Sequence, residues 1–284
     1  MDTKLERQLA ILSTKLRMDA LEAVFAADSG HIGGSFSIME ILTYLYFNKM
    51  RIHPENPHWE ERDRLVLSKG HCTPALYSVL AERGFFDKKE LRNFRDIDSM
   101  LSGHAEIHVP GVDVSTGSLG HGVSVAVGMA LNAKIDKSDY RVYAIAGDGE
   151  IQEGQIWEAA MSAAHFNLDN LTLIVDNNDL QIDGSIKEVM SPYPIDEKFR
   201  AFGWHVINID GHNFAEIDSA IREAENHHES PTAIIARTIK GKGVSFMENV
   251  VDWHGETPDE TQYKAAMDEL RETLRKLEEG NHVK

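Results

Sequence analysis

The chain has 284 residues, 42% of them hydrophobic, and a formal net charge of -17. Such acidity excludes nucleic acid and anionic membrane surfaces as partners, since both need clustered Lys and Arg. No apolar run reaches the length of a membrane span, and the N-terminal stretch lacks the apolar core and cleavage site of a signal peptide.

That stretch predicts an amphipathic helix from about Asp2 to Ala27, ending in the turn "DSGHIGGS". "SIMEILTYLYFNKM" has helical spacing, and "DRLVLSKGH" reads as a short strand entering a polar turn. The single cysteine, Cys72, excludes an intrachain disulfide and fits a reducing cytosol. Although it neighbours His71, a small side chain beside a packed turn is a better reading than a reactive thiol. "PALYSVLAERG" predicts a helix closed by Gly84, and "VSVAVGMALNAKI" a buried helix after the glycine-rich "STGSLGHG".

The second half alternates more regularly. The β-branched runs "RVYAIAG", "LTLIVD", "WHVINID" and "TAIIART" are separated by segments of helical period, such as "IWEAAMSAAHF" and "AEIDSAIREAENH". This alternation predicts an α/β fold, a parallel sheet with helices on both faces. The tail, about 258–280, is a charged amphipathic helix expected to be solvated or to serve an interface. No repeat or linker divides residues 1–284, so one domain is expected.

Two acidic turns carry the chemistry. Asp148, in "AIAGDGEIQEG", and Asn178, in "IVDNNDLQIDG", each follow a predicted strand. Ligands of open parallel sheets sit outside the carboxyl ends of the strands, where both turns belong. A carboxylate, an amide oxygen and a backbone carbonyl form a hard-oxygen set suited to Mg²⁺ or Ca²⁺, with positions left for phosphates. Gly147 and Gly149 allow backbone amides to approach the same phosphates. Neither a Walker phosphate loop nor a dinucleotide fingerprint is present, and "KGKGVS" fails the former.

Together "GDGEIQEG" and "VDNND" resemble the cofactor motif of thiamine diphosphate enzymes. With "SGHIGGS", "LSKGHCTPALYSVL", "SGHAE", "STGSLGHGVSVAVGMAL", "LQIDG" and "IKGKGVSFMEN", they follow the order seen in transketolases, from about Leu5 to Gly255. The resemblance implies a thiamine diphosphate-binding fold, with Asp148, Asn178 and the Leu180 carbonyl as Mg²⁺ or Ca²⁺ ligands. It implies that His71, His254 and the Gly149 amide contact the diphosphate, and that Gly117 and Leu119 border the cofactor rings. His31 and His104, with His71, would line a sugar channel and move protons to and from substrate hydroxyls, work suited to imidazole near neutral pH. Glu153 would lie at a subunit interface, near the partner's activating glutamate. His53, His58, His108, His227, His228 and His282 are read as surface or structural groups. Ile32 and His121 depart from the family pattern, which commonly has proline and glutamine there.

A full transketolase is about twice as long. The resemblance therefore implies the diphosphate-binding subunit of a split, cytoplasmic enzyme, paired with a C-terminal subunit in a two-plus-two heterotetramer acting on sugar phosphates. The alternatives are the alpha subunit of a 2-oxo-acid dehydrogenase and a noncatalytic subunit that kept the fold. The "SGH" and "KGH" histidines favour the first reading, because a polyhydroxylated substrate needs more polar contacts than pyruvate.

Overall fold

A computed structural model describes residues 1–280; His282 lies outside the described residues. Helix α1 (Thr3–Ala27) starts at Asp2, whose side chain accepts from the Lys4 amide, and stops where Asp28 turns left-handed at φ 46°. The "DSGHIGGS" segment, expected as a turn, contains a short helix, α2 (Ile32–Ser37), and the helix expected after it is α3 (Met39–Tyr44) continued by a wide turn over Leu45–Lys49. The break between α2 and α3 falls at Ile38 (φ -104°, ψ 8°), and it lets α2 press its backbone inward. A Cβ on Gly33 would stand 2.6 Å from the Trp253 carbonyl oxygen.

Strand β1 (Arg64–Leu67) leads into α4 (Thr73–Arg83), which Gly84 closes at φ 93°. Then follow α5 (His121–Asp136), β2 (Val142–Gly147), α6 (Gly154–His165) and β3 (Leu171–Asn177). A small hairpin, β4 (Leu180–Gln181) with β5 (Gly184–Ser185), precedes α7 (Ile186–Val189) and α8 (Ile195–Ala201). The chain continues through β6 (His205–Asp210), α9 (Phe214–Asn226), β7 (Thr232–Arg237) and α10 (Glu260–Glu278). The five long strands are all parallel, in the order β1-β2-β3-β7-β6.

Because successive side chains point to opposite faces, each central strand feeds two cores. Tyr143, Ile145, Ile174 and Ile234 join the layer of α1, α3, α4 and α9. Val142, Ala144, Leu173, Val175 and Ile235 join that of α5, α6 and α8. Each fully buried Leu or Ile contributes roughly 1.5–3 kcal/mol, so the sheet is a rigid platform for whatever its ends carry.

The charged amphipathic helix expected over about 258–280 is α10. Helix α10 packs along α1 through buried Ala266, Met267 and Leu270, and Tyr263 stacks on Phe25 with ring centroids 4.1 Å apart. Its charged face remains exposed, so one apolar stripe is used within the chain.

Candidate functional site

The register that pairs Gly147 with Asp176 sets the two acidic turns side by side at the carboxyl edge of the sheet. Asp148 is 2% exposed. Its Oδ1 accepts from the Gly149 amide at 2.8 Å; its Oδ2 accepts from the Asp179 amide at 2.7 Å and from Asn177 Nδ2 at 3.0 Å. Despite those donors, burial and the neighbouring Asp176 push its carboxyl up to about 6. Asn178 donates from Nδ2 to Asp176 Oδ2 at 3.0 Å, and its Oδ1 accepts from the Leu180 amide at 3.1 Å. The Leu180 carbonyl accepts from Lys240 Nζ at 3.4 Å.

Beneath this edge lie groups that the motifs did not single out. Asp176, fully buried, accepts from Ser37 Oγ at 2.7 Å and from Lys69, Thr238 and Asn178. Lys69, arriving from the end of β1, also donates to the Gly34 carbonyl at 2.9 Å. Burial opposes charge on both, but each holds the other ionised: Asp176 titrates below the usual carboxylate range and Lys69 above the usual ammonium range. Glu150 ties the "GDGE" turn to the start of α5, accepting from Ser68, from the Gly120 amide at 2.9 Å and from the Gly147 amide at 3.0 Å. The only sequence signal for the three was adjacency, since each lies within a quoted motif.

On the loop side, turns from four remote segments bring His31, His71, His104 and His254 together. Ring centroids stand 5.0 Å apart for His31–His71, 5.3 Å for His71–His254, 5.5 Å for His31–His254 and 6.4 Å for His31–His104. Nδ1 of His31 is buried without a hydrogen-bond partner. His254 Nδ1 lies 2.8 Å from Lys240 Nζ, which can only donate, so this nitrogen accepts. All four imidazoles titrate low, chiefly through burial. Arg95 adds to this at His31 and His104, Lys69 at His71 and Lys240 at His254, with His31 at about 4 and His254 at about 3. Lys240 itself is lowered to about 8 by burial and by Lys69.

Gly117 sits against His104: a Cβ there would lie 3.0 Å from the ring. Leu119 is 39% exposed. Glu153 is exposed at the start of α6, beside Gly120 and outside the histidine cluster. His121 is exposed on the first turn of α5, and Ile32 is buried at the start of α2. Cys72 is buried, with its thiol pushed up by burial, as expected of a packing residue.

The charges define what fits. The loop side holds cations and neutralised imidazoles, with Lys240 short of a counter-anion; the strand side holds a carboxylate raised by burial and by a second carboxylate. A diphosphate together with a divalent cation would satisfy both. Among the described residues no group of three His, Cys, Asp or Glu is poised to hold a metal. No helix among them is long and apolar enough to cross a membrane.

Residues 8–273 match the family described as transketolase, thiamine diphosphate binding domain. The chain is 45% identical over 276 residues to one of the subunits of the apulose-4-phosphate transketolase of Phocaeicola vulgatus, covering 97% of this chain and 98% of that protein. It is 48% identical over 256 residues to the 6-deoxy-6-sulfo-D-fructose transketolase subunit SqwG of a Clostridium species, covering 90% and 93%. Among solved structures, transketolase from Campylobacter jejuni superposes with a TM-score of 0.89 at 33% identity, over 98% of this chain and 46% of that one.

Proposed function

The chain belongs to the transketolase family, and from that premise we propose that it is the diphosphate-binding subunit of a split enzyme. The reaction is reversible transfer of a two-carbon ketol unit from a ketose phosphate, or a similarly anionic ketose, to an aldose phosphate. The observation that carries this reading is the cluster of four neutralised imidazoles beside the Asp148 edge.

Thiamine diphosphate, when bound, supplies the nucleophilic carbon and electron sink that cleaving a ketose requires. Asp148, Asn178 and the Leu180 carbonyl would hold Mg²⁺ or Ca²⁺. His71, His254 and the Gly149 amide would contact the diphosphate, and Gly117 and Leu119 would border the rings. Cleavage of the donor's C2–C3 bond needs a base for the C3 hydroxyl proton. His31 and His104, supported by His71, are neutral at physiological pH and take that role; returning the proton serves the acceptor half of the cycle. Glu153 stands at the boundary with the partner subunit, which contributes the activating glutamate and the sugar-phosphate grip.

The proposed assembly is two-plus-two and cytoplasmic, and exposed Leu119, Val125, Met161, Ile182 and Met190 support a covering partner. The relatives named as subunits support it too. The test is an assay of the complex with xylulose 5-phosphate and ribose 5-phosphate, alongside apulose 4-phosphate and 6-deoxy-6-sulfo-D-fructose as donors. Pyruvate with an artificial electron acceptor is the counter-assay. Ketol transfer, abolished by His104→Ala, is expected; turnover of pyruvate alone would overturn the reading.

A further inference from the structure

The two turns that carry His31 and His104 have the same tripeptide, Ser29-Gly30-His31 and Ser102-Gly103-His104, and lie far apart in sequence. No strand or helix pairs them. What lies between them is Phe94-Arg95. Arg95 adopts a left-handed backbone at φ 66°, and its amide donates to the Leu101 carbonyl at 2.7 Å, which curls the chain back toward Ser102. Its Nη1 donates to Ser29 Oγ on the first turn. On the second turn a Cβ at Gly103 would overlap the guanidinium, so glycine is what lets the side chain lie against that backbone. Phe94 is buried beside Gly30, where a Cβ would come within 3.3 Å of the ring.

We propose that Arg95 is the positioning residue of the proton-transfer histidines: it clamps the two Ser-Gly-His turns together and fixes a permanent positive charge beside both imidazoles. The functional meaning rests on the transketolase reading, but the clamp itself does not.

Guanidinium suits this task because it never loses its charge and presents donors in a rigid fork. The charged and titratable groups around the pair are Arg95, Glu106, Lys240, His71 and His254. After burial, Arg95 is the largest influence on each of His31 and His104, and it lowers both; Glu106 opposes it at His104 alone. Both imidazoles are therefore held toward the base form, His31 down to about 4.

The test uses the full chain with ¹³C-labelled histidine, comparing wild type, Arg95→Met and Arg95→Lys; His31→Gln and His104→Gln assign the resonances. Arg95→Met should raise both titrations by about half a pH unit or more. In the complex with its partner it should also move the acid limb of kcat/KM to higher pH. Arg95→Lys keeps the charge and loses the fork, so it should leave the titrations within about 0.2 unit while lowering kcat several-fold at nearly constant KM. A folded Arg95→Met with both titrations unmoved would overturn the proposal. So would an Arg95→Lys complex with wild-type kcat, a result that counts even where the methionine variant does not fold. Titrations that move as expected in a complex without ketol transfer would leave the clamp standing and remove the functional reading instead.

Discussion

At the strand ends Asp148 is a buried carboxylate facing a second carboxylate, Asp176, and its own titration is raised. Across the site His31, His71, His104 and His254 are imidazoles pressed among cations, and theirs are lowered. One half is short of positive charge and the other of negative charge. They also differ in construction. The strand half is fixed by sheet register, the loop half by turns, glycines and remote hydrogen bonds. The two halves should therefore respond to different changes.

The Lys69–Asp176 pair joins the halves, so breaking it should have the largest effect. Lys69→Met leaves Asp176 buried without its counter-charge, with only Ser37, Thr238 and Asn178 as donors. Removing one partner of such a pair costs roughly 3–5 kcal/mol. Urea unfolding of the isolated chain should show that loss, and a cost below about 1 kcal/mol would mean the two halves are not linked through it.

The next largest effect separates stability from binding. Asp148 has a carboxyl at about 6 in the fold against 3.8 ordinarily, so its contribution is fully present below 3.8 and is lost as pH rises through 6. Above pH 6 the chain without cofactor therefore carries a penalty, and Asp148→Asn should stabilise it by roughly 1–3 kcal/mol at pH 7. The same change removes the charge proposed to bind a divalent cation. In the complex with the partner chain, affinity for thiamine diphosphate with Mg²⁺ should fall at least about tenfold, or ~1.4 kcal/mol. Melting curves with and without cofactor read both effects; unchanged cofactor affinity would sink the metal assignment.

The same contrast explains what could be read from the sequence. "RVYAIAG" and "LTLIVD" are β-branched runs that end in glycine or acid, so periodicity alone located β2, β3 and the Asp148 and Asn178 turns. Lys69 and Asp176 lie 107 positions apart, and no local pattern marks either as half of a buried pair. Lys240 lay inside a segment weighed as a failed phosphate loop and quoted in the family pattern without a role, and Arg95 lay in no motif at all. The loop histidines were placed by family resemblance, because a glycine before a histidine says that a turn exists, not where it points. The tail helix was legible as charged and amphipathic, but its cover was not: three buried residues on a highly charged helix are a weak stripe, and α1 is remote in sequence.

The smallest predicted effect belongs to the loop half alone. Gly117 has φ 154°, a conformation that side chains other than glycine rarely adopt, and its missing Cβ leaves 3.0 Å to the His104 ring. Gly117→Ala must strain that backbone or push the ring by a few tenths of an ångström, at a cost of about 1 kcal/mol. Sheet register is untouched, so the Asp148 edge should keep its hydrogen bonds and its raised titration. The expected result is a slightly lower melting temperature with a displaced His104 resonance and an unmoved Asp148 carboxyl signal. Should both signals move together, the two halves are mechanically coupled through more than Lys69 and Asp176; should His104 stay in place, the close approach at Gly117 does not fix its ring.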